Sequence, residues 1–413
     1  MTGTARVAEL NDLRPPAHFL AFVGALVAIG PLTMDAYLPA LPAIANDFAV
    51  SAADISVTVS AYLLGYAVGQ FFGGPLSDQV GRKTVGMVGL ALFVTATLGI
   101  LAAGTLEQVL VWRFLQALGG GCATVISIAL VRDIYSPVEA GRRFAMVMMI
   151  VMLAPLAAPA AGTYLLHFGW HAIFWLFTAY AVALFFTFLL SIPETHPAPG
   201  RRISLPSVFA QYRAVLTRRT GGRWVAMRFP LAMASSGSVL MVFITQSAFL
   251  YMHHFQVSTD LFPVLFGANV IMLVTGNFVS MKLLGRIHPQ LLFRAGMAVQ
   301  LTATAGLFLL VWSGIDQLYP TVPLIVLAVG SVGLINPAGM TLYMSHYPKQ
   351  GGSASAAFTT LMFSLGGLLG SLPNLFPGHG LLPTAGVMLG ASLIANGIAH
   401  TIPAVDLDRA AVP

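Results

Sequence analysis

Stretches of predominantly apolar residues recur along the chain from Ala17 to Pro403, separated by short polar breaks. A helix needs about 20 apolar residues to cross the hydrocarbon of a bilayer, so each stretch predicts one crossing. The expected spans are 17 to 44, 51 to 76, 84 to 104, 107 to 131, 144 to 166, 170 to 192, 224 to 252, 260 to 284, 290 to 313, 320 to 346, 353 to 376 and 380 to 402. The pattern predicts an all-α membrane protein of twelve transmembrane helices. Its expected divisions are a tail 1–16, a six-helix bundle 17–192, a linker loop 193–223 rich in Arg, Pro and Gly, a second six-helix bundle 224–402 and a tail 403–413.

Composition agrees, because 57% of the 413 residues are hydrophobic and only 8% charged, against about 25% charged in soluble domains. The formal net charge of +6 would suit nucleic acid only if the basic residues clustered with interleaved aromatics. Their positions say otherwise. With the N-terminus cytoplasmic, the inner loops carry Arg82, Lys83, Arg132, Arg142, Arg143, Arg201, Arg202, Arg213, Arg218, Arg219 and Arg223. Later inner segments carry Lys282, Arg286, Arg294, Lys349 and Arg409. The outer connections, around Asp47, Asp54, Glu107, His167 to His171, His253 to Asp260, Asp316 and His379, hold no Lys or Arg. This is the positive-inside pattern. It predicts an even number of spans with both termini cytoplasmic, and basic residues facing lipid headgroups rather than nucleic acid. Cys122, the single cysteine, excludes an intrachain disulfide. The first apolar stretch runs past Asp35 into Leu38-Pro39-Ala40-Leu41-Pro42 without a small-residue cleavage site, so it is expected to be retained.

Between spans two and three the chain reads Gly74, Pro75, Leu76, Ser77, Asp78, Gln79, Val80, Gly81, Arg82, Lys83. The equivalent place in the second half reads Lys282, Leu283, Leu284, Gly285, Arg286, a weak internal echo. With six-plus-six topology it predicts transporter halves related by an axis along the membrane normal. Gly65, Gly69 and Gly73 share one face of span two, and Gly366 and Gly370 one face of span eleven. Small residues four apart admit close backbone approach, either as static packing or as a sliding surface between halves.

The segment Gly74 to Lys83 resembles the loop signature of the major facilitator superfamily, with Gln79 where a basic residue is usual. Arg113, Phe114, Leu115 and Gln116 resemble its Arg-x-x-Gln-Gly motif, with Ala117 replacing the Gly. Ala154 to Gly162, including Pro155 and Pro159, resembles the motif of drug:proton antiporters, with several glycines replaced by Ala. Asp35-Ala36-Tyr37-Leu38-Pro39, Arg132-Asp133-Ile134-Tyr135, Gly169-Trp170-His171 with Phe174-Trp175, and Pro193-Glu194-Thr195 resemble the Bcr/CflA group of bacterial multidrug exporters. The likeness covers nearly the whole chain and is strongest before residue 200. It implies the major facilitator fold in a bacterial inner membrane, working as a monomer by alternating access. The implied substrates are drugs such as bicyclomycin, sulfonamides or phenicols, exchanged for protons, with a proton gradient as the energy source and no cofactor.

Asp35 and Arg113 are the charges placed well inside predicted spans. Intramembrane ions cost several kcal/mol and persist mainly where they pair or line a watery cavity. Span one rises from the cytoplasm, so Asp35 lies roughly 27 Å along it; span four descends, so Arg113 lies roughly 9 Å past Glu107. Both reach a similar depth in the outer half. Neighbouring charge and burial push a carboxyl in opposite directions, so an acid whose surroundings alternate can exchange a proton. Asp35 is therefore the expected proton-coupling carboxylate and Arg113 its partner, the bland alternative being a static buried ion pair. Gly74, Asp78, Gly81, Arg82, Lys83, Arg132 and Asp133 are expected to form a charge lock on the cytoplasmic side, or else hydrated membrane-edge anchors. Pro155 and Pro159 lack backbone donors and are expected to bend span five beside Gly162, limiting leak or simply packing.

A pocket for mixed apolar drugs needs aromatic and Met walls with a few polar groups. The candidates are Tyr37, Tyr62 and Tyr66 in the first half, and Met241, Gln246, Phe249, Asn269, Asn277, Asn336 and Phe358 in the second. Two other readings compete. The asparagines leave open a proton-coupled transporter of one metabolite class, such as nucleosides or sugars. An intramembrane enzyme would rest on His167 with His171, or His253 with His254, as zinc ligands. These histidines sit at outer loop edges without the Glu of His-Glu-x-x-His, so no metal and no catalytic residues are expected. There is no Gly-x-x-x-x-Gly-Lys-Ser/Thr run to bind ATP.

Overall fold

The computed structural model describes residues 16–195, 204–217, 225–347, 351–376 and 380–403. Within them, 12 helices are long and apolar enough to cross a membrane: Phe19–Asp47, Ala52–Val80, Arg82–Leu101, Leu106–Ile134, Met146–Leu166, His171–Ser191, Val225–His254, Phe262–Leu283, Pro289–Trp312, Leu318–Ser345, Ser353–Leu375 and Leu382–His400. Each coincides with an expected span to within a few residues. Arg201, Arg202, Arg218, Arg219, Arg223, Lys349, Arg409 and His379, part of the expected charge pattern, lie outside the described residues.

Local chemistry sets the helix ends. Ser51 and Asp54 form a capping box at the start of span 2, with the Asp54 N–H donating to Ser51 Oγ at 3.1 Å and the Ser51 N–H to Asp54 Oδ2 at 3.2 Å. Between spans 2 and 3 the chain reverses at Gly81, whose φ of 104° lies in the region glycine favours. Span 1 breaks internally. Regular helix ends at Asp35, a 3-10 turn covers Leu38–Ala40, and helix resumes over Leu41–Asp47. Pro39 explains the break, because it has no N–H to give to the carbonyl four residues back, that of Asp35.

The chain divides into two compact units. The first holds residues up to Phe209 together with Tyr251–Pro263, and the second holds Ala210–Leu250 and the chain from Val264 onward. In the first, the Gly65, Gly69 and Gly73 stripe packs on span 4: a Cβ at Gly65 would strike the Phe114 carbonyl, one at Gly69 the Leu118 carbonyl, and one at Gly73 would lie 2.8 Å from Cys122 Cα. In the second, Gly366 and Gly370 pack on Met241 and Thr245 of span 7. Both stripes therefore pack on helices of their own unit.

The expected linker loop carries a further helix, Leu205–Leu216. Val208, Tyr212 and Val215, at helical spacing, are its buried face.

Candidate functional site

Asp35 is 2% exposed, at the last residue before the break in span 1, and its Oδ1 has no hydrogen-bond partner. Span 5 presses on the same break. A Cβ at Gly162 would collide with the Ala36 carbonyl and lie 3.0 Å from Pro39 Cγ, so only glycine lets the two helices meet there. Pro155 and Pro159 lie within the continuous helix Pro137–Leu166.

Arg113 is fully buried. Its Nη1 donates to Gln116 Oε1 at 2.8 Å, and Gln116 Nε2 donates to Thr97 Oγ1 at 2.8 Å. The guanidinium carbon lies 4.2 Å from the Tyr37 ring centre and 4.5 Å from that of Tyr62. Desolvated cation–π contacts of this kind contribute about 2 kcal/mol or more. Nε and Nη2 have no hydrogen-bond partner. Asp35 and Arg113 thus share one unit and one kind of burial, but no ion pair joins them in this conformation. Two tyrosines stand where the sequence reading put a carboxylate.

The tyrosines suggested as drug walls are interior. Tyr37 Oη shares a hydrogen with Thr58 Oγ1 at 2.9 Å, and Tyr62 Oη donates to the Gly30 carbonyl at 3.3 Å. Tyr62 and Tyr66 stack with ring centres 6.2 Å apart. In the second unit, Gln246 Nε2 donates to the Gly370 carbonyl at 2.7 Å and to Asn374 Oδ1 at 3.1 Å. Asn269 Nδ2 donates to the Leu265 carbonyl at 2.9 Å, while Asn269 Oδ1 and Asn336 Oδ1 are buried without a partner. Met241 and Phe358 are buried, Asn277 is half-buried, and Phe249 begins a π-helical turn that runs to His254.

At the ends of spans 2, 3 and 4 the charged residues do gather. Arg82 Nη1 is 2.5 Å from Asp78 Oδ1 and its Nε 3.2 Å from Asp133 Oδ2. Nη1 also donates to Ser77 Oγ at 2.6 Å, and Thr195 Oγ1 to Asp133 Oδ2 at 3.1 Å. Lys83 takes another role: its Nζ donates to the Leu189 and Ile192 carbonyls at 2.7 and 2.9 Å, capping the end of span 6. Arg132 is exposed beside Asp133. A Cβ at Gly74 would have ordinary room, 3.7 Å from Val125.

Sequence reasoning missed Gln116 as the anchor of Arg113, although their spacing of three residues on a helix was a signal. It took Glu194 and Thr195 only as family marks. Among the described residues no group of three or more His, Cys, Asp or Glu could hold a metal ion. His167 is an example: its Nδ1 lies 3.0 Å from the Tyr164 carbonyl.

Twelve membrane-length helices in two units, with charge buried in one of them, define a polytopic transporter. The chain belongs to the Major Facilitator Superfamily, whose family model matches residues 21–371. It is 31% identical over 344 residues to the "Multidrug transporter MdfA" of Yersinia pestis bv. Antiqua (strain Angola), covering 80% of this chain and 81% of that one. It is 26% identical over 365 residues to the "Bicyclomycin resistance protein homolog" of Haemophilus influenzae, covering 88% and 90%. The crystal structure of a D-xylose-proton symporter superposes with a TM-score of 0.70 at 14% identity, over 91% of this chain and 95% of that one, a likeness of fold alone. The protein is a multi-pass protein of a bacterial inner membrane.

Proposed function

We propose that the chain exports small amphipathic drugs or antibiotics in exchange for protons, with Asp35 carrying the proton and Arg113 as its alternating partner. The observation that carries this reading is the pair of unmet groups: Asp35 Oδ1 and Arg113 Nε and Nη2 are buried without hydrogen-bond partners. An ionised carboxylate alone in such a setting costs several kcal/mol, so Asp35 is cheapest neutral when apart from Arg113 and ionised when paired with it. A proton from outside neutralises Asp35, parts the pair and favours drug release; its loss to the cytoplasm restores the pair. The names of the multidrug and bicyclomycin-resistance relatives support drugs as the cargo. The cluster of Asp78, Arg82 and Asp133 serves as the cytoplasmic gate, so Asp78→Asn is expected to lose transport while retaining drug binding.

The test is transport by protein reconstituted in liposomes, with and without an imposed pH gradient. Bicyclomycin, a sulfonamide and chloramphenicol are compared with nucleosides and sugars. Gradient-driven drug movement in the wild type, lost in Asp35→Asn, is expected. Full gradient-driven transport by Asp35→Asn would sink the coupling role, and movement of a metabolite in place of the drugs would replace the cargo.

A further inference from the structure

Residues 78–83 carry the chain from the end of span 2 through the reversal at Gly81 into span 3, and their neighbours come from far along the chain. Gln79, buried, clamps the main chain of Ser204: the Ser204 N–H donates to Gln79 Oε1 at 2.7 Å and Gln79 Nε2 to the Ser204 carbonyl at 3.4 Å. Ser204 immediately precedes the helix Leu205–Leu216. On the other side of the reversal, the Glu194 carboxylate accepts the N–H of Arg82 on Oε1 and of Lys83 on Oε2, both at 2.9 Å. An anion on the first free N–H groups of a helix satisfies donors that have no partner within it. Gly81 makes the approach possible, since a Cβ there would lie 2.5 Å from Glu194 Oε2 and the backbone φ is 104°. Lys83 returns the favour at the end of span 6, as described above. Residues 194–195, leaving span 6, and Ser204, before the next helix, are therefore both fixed to the segment that bears Asp78 and Arg82.

We propose that this segment is a staple. Gln79 and Glu194 are positioning residues that make residues 194–195 and 204 move with the Asp78–Arg82–Asp133 cluster. Rupture of the cluster then displaces the start of the helix Leu205–Leu216, and transport slows when the staple is cut. Gln79 has this task because an amide can donate and accept at one peptide unit, which a basic side chain at the same position cannot do. The role in transport rests on the reading of the cluster as the cytoplasmic gate.

The experiment uses the full chain in lipid nanodiscs. Amide hydrogen exchange is measured at residues 82–83 and at 204 in the wild type, Gln79→Leu, Glu194→Leu and the conservative Glu194→Gln. Drug binding and gradient-driven chloramphenicol transport are measured on the same variants. Gln79→Leu is expected to speed exchange at 204 by about fivefold to tenfold, the factor for one net hydrogen bond, and to leave 82–83 unchanged. Glu194→Leu is expected to do the reverse, while Glu194→Gln, which keeps one of the two acceptor oxygens, is expected to protect one N–H of the pair 82–83 and speed exchange at the other. Both Leu variants should bind drug and transport it several-fold more slowly. Unchanged exchange in the Leu variants would overturn the staple, and faster exchange with full transport would overturn its role in transport. A wild-type chain that moves none of the drugs would count against the proposed function, while the exchange pattern would still decide the staple.

Discussion

Among the described residues the first unit buries three charged side chains, Asp35, Arg82 and Arg113, whereas the buried polar side chains of the second are neutral: Gln246, Asn269, Gln290, Gln300, Asn396 and several hydroxyls. Amides in the second unit tie helix backbones together. Gln300 Nε2 donates to the Ser236 and Ala328 carbonyls at 3.3 and 3.2 Å, and Asn396 Nδ2 to those of Met297 and Ser392, both at 3.0 Å. Such bonds hold one arrangement. Under the proposed coupling, a charge left with unmet atoms has a second arrangement within reach, so the first unit is the one expected to switch.

The contrast can be broken most forcefully at Arg113. Arg113→Ala removes the cation from between Tyr37 and Tyr62 and strands Gln116 Oε1, so unfolding in detergent should come about 3 kcal/mol easier, with gradient-driven transport lost. Gln300→Leu is the control in the other unit. It removes a second donor from two helical carbonyls, should cost about 1 kcal/mol of stability, and should leave transport within about twofold of wild type. Equal loss of transport in the two variants would erase the distinction. The glycine stripes offer a middle case. Gly65→Ala meets the Phe114 main chain and should cost about 2–3 kcal/mol, while Gly366→Ala meets Met241 Cβ at 2.5 Å, an atom tied to its own backbone, and should cost somewhat less, about 1–2 kcal/mol. Thermal unfolding of the two variants checks the order. The smallest effect is expected at Tyr62→Phe, which keeps the ring over Arg113 and loses one bond to Gly30, about 0.5–1 kcal/mol in the same assay.

The spans were legible because each needs only an apolar run of the right length, a property local to its own residues. Where an end was misjudged, a distant group decides it. Arg82 and Lys83 were read as loop because they are charged, yet they are helical, with Glu194 from far along the chain, just past span 6, holding their N–H groups. The deep charges were legible for the same local reason, as the exceptions in apolar runs. Their pairing was not, since it depends on which faces of spans 1, 2 and 4 meet and on a rotamer that turns Arg113 onto two tyrosines. The break at Asp35 could have been read from Pro39 four residues on. The partners of the glycine stripes could not, because a stripe states only that something comes close.

The claim that Asp35 exchanges a proton against drug is most directly tested by proton release from purified protein in weakly buffered detergent, followed with a pH-indicating dye as drug is added. The account predicts about one proton released per drug bound by the wild type and none by Asp35→Asn with drug binding intact. Equal release from the two proteins would contradict it.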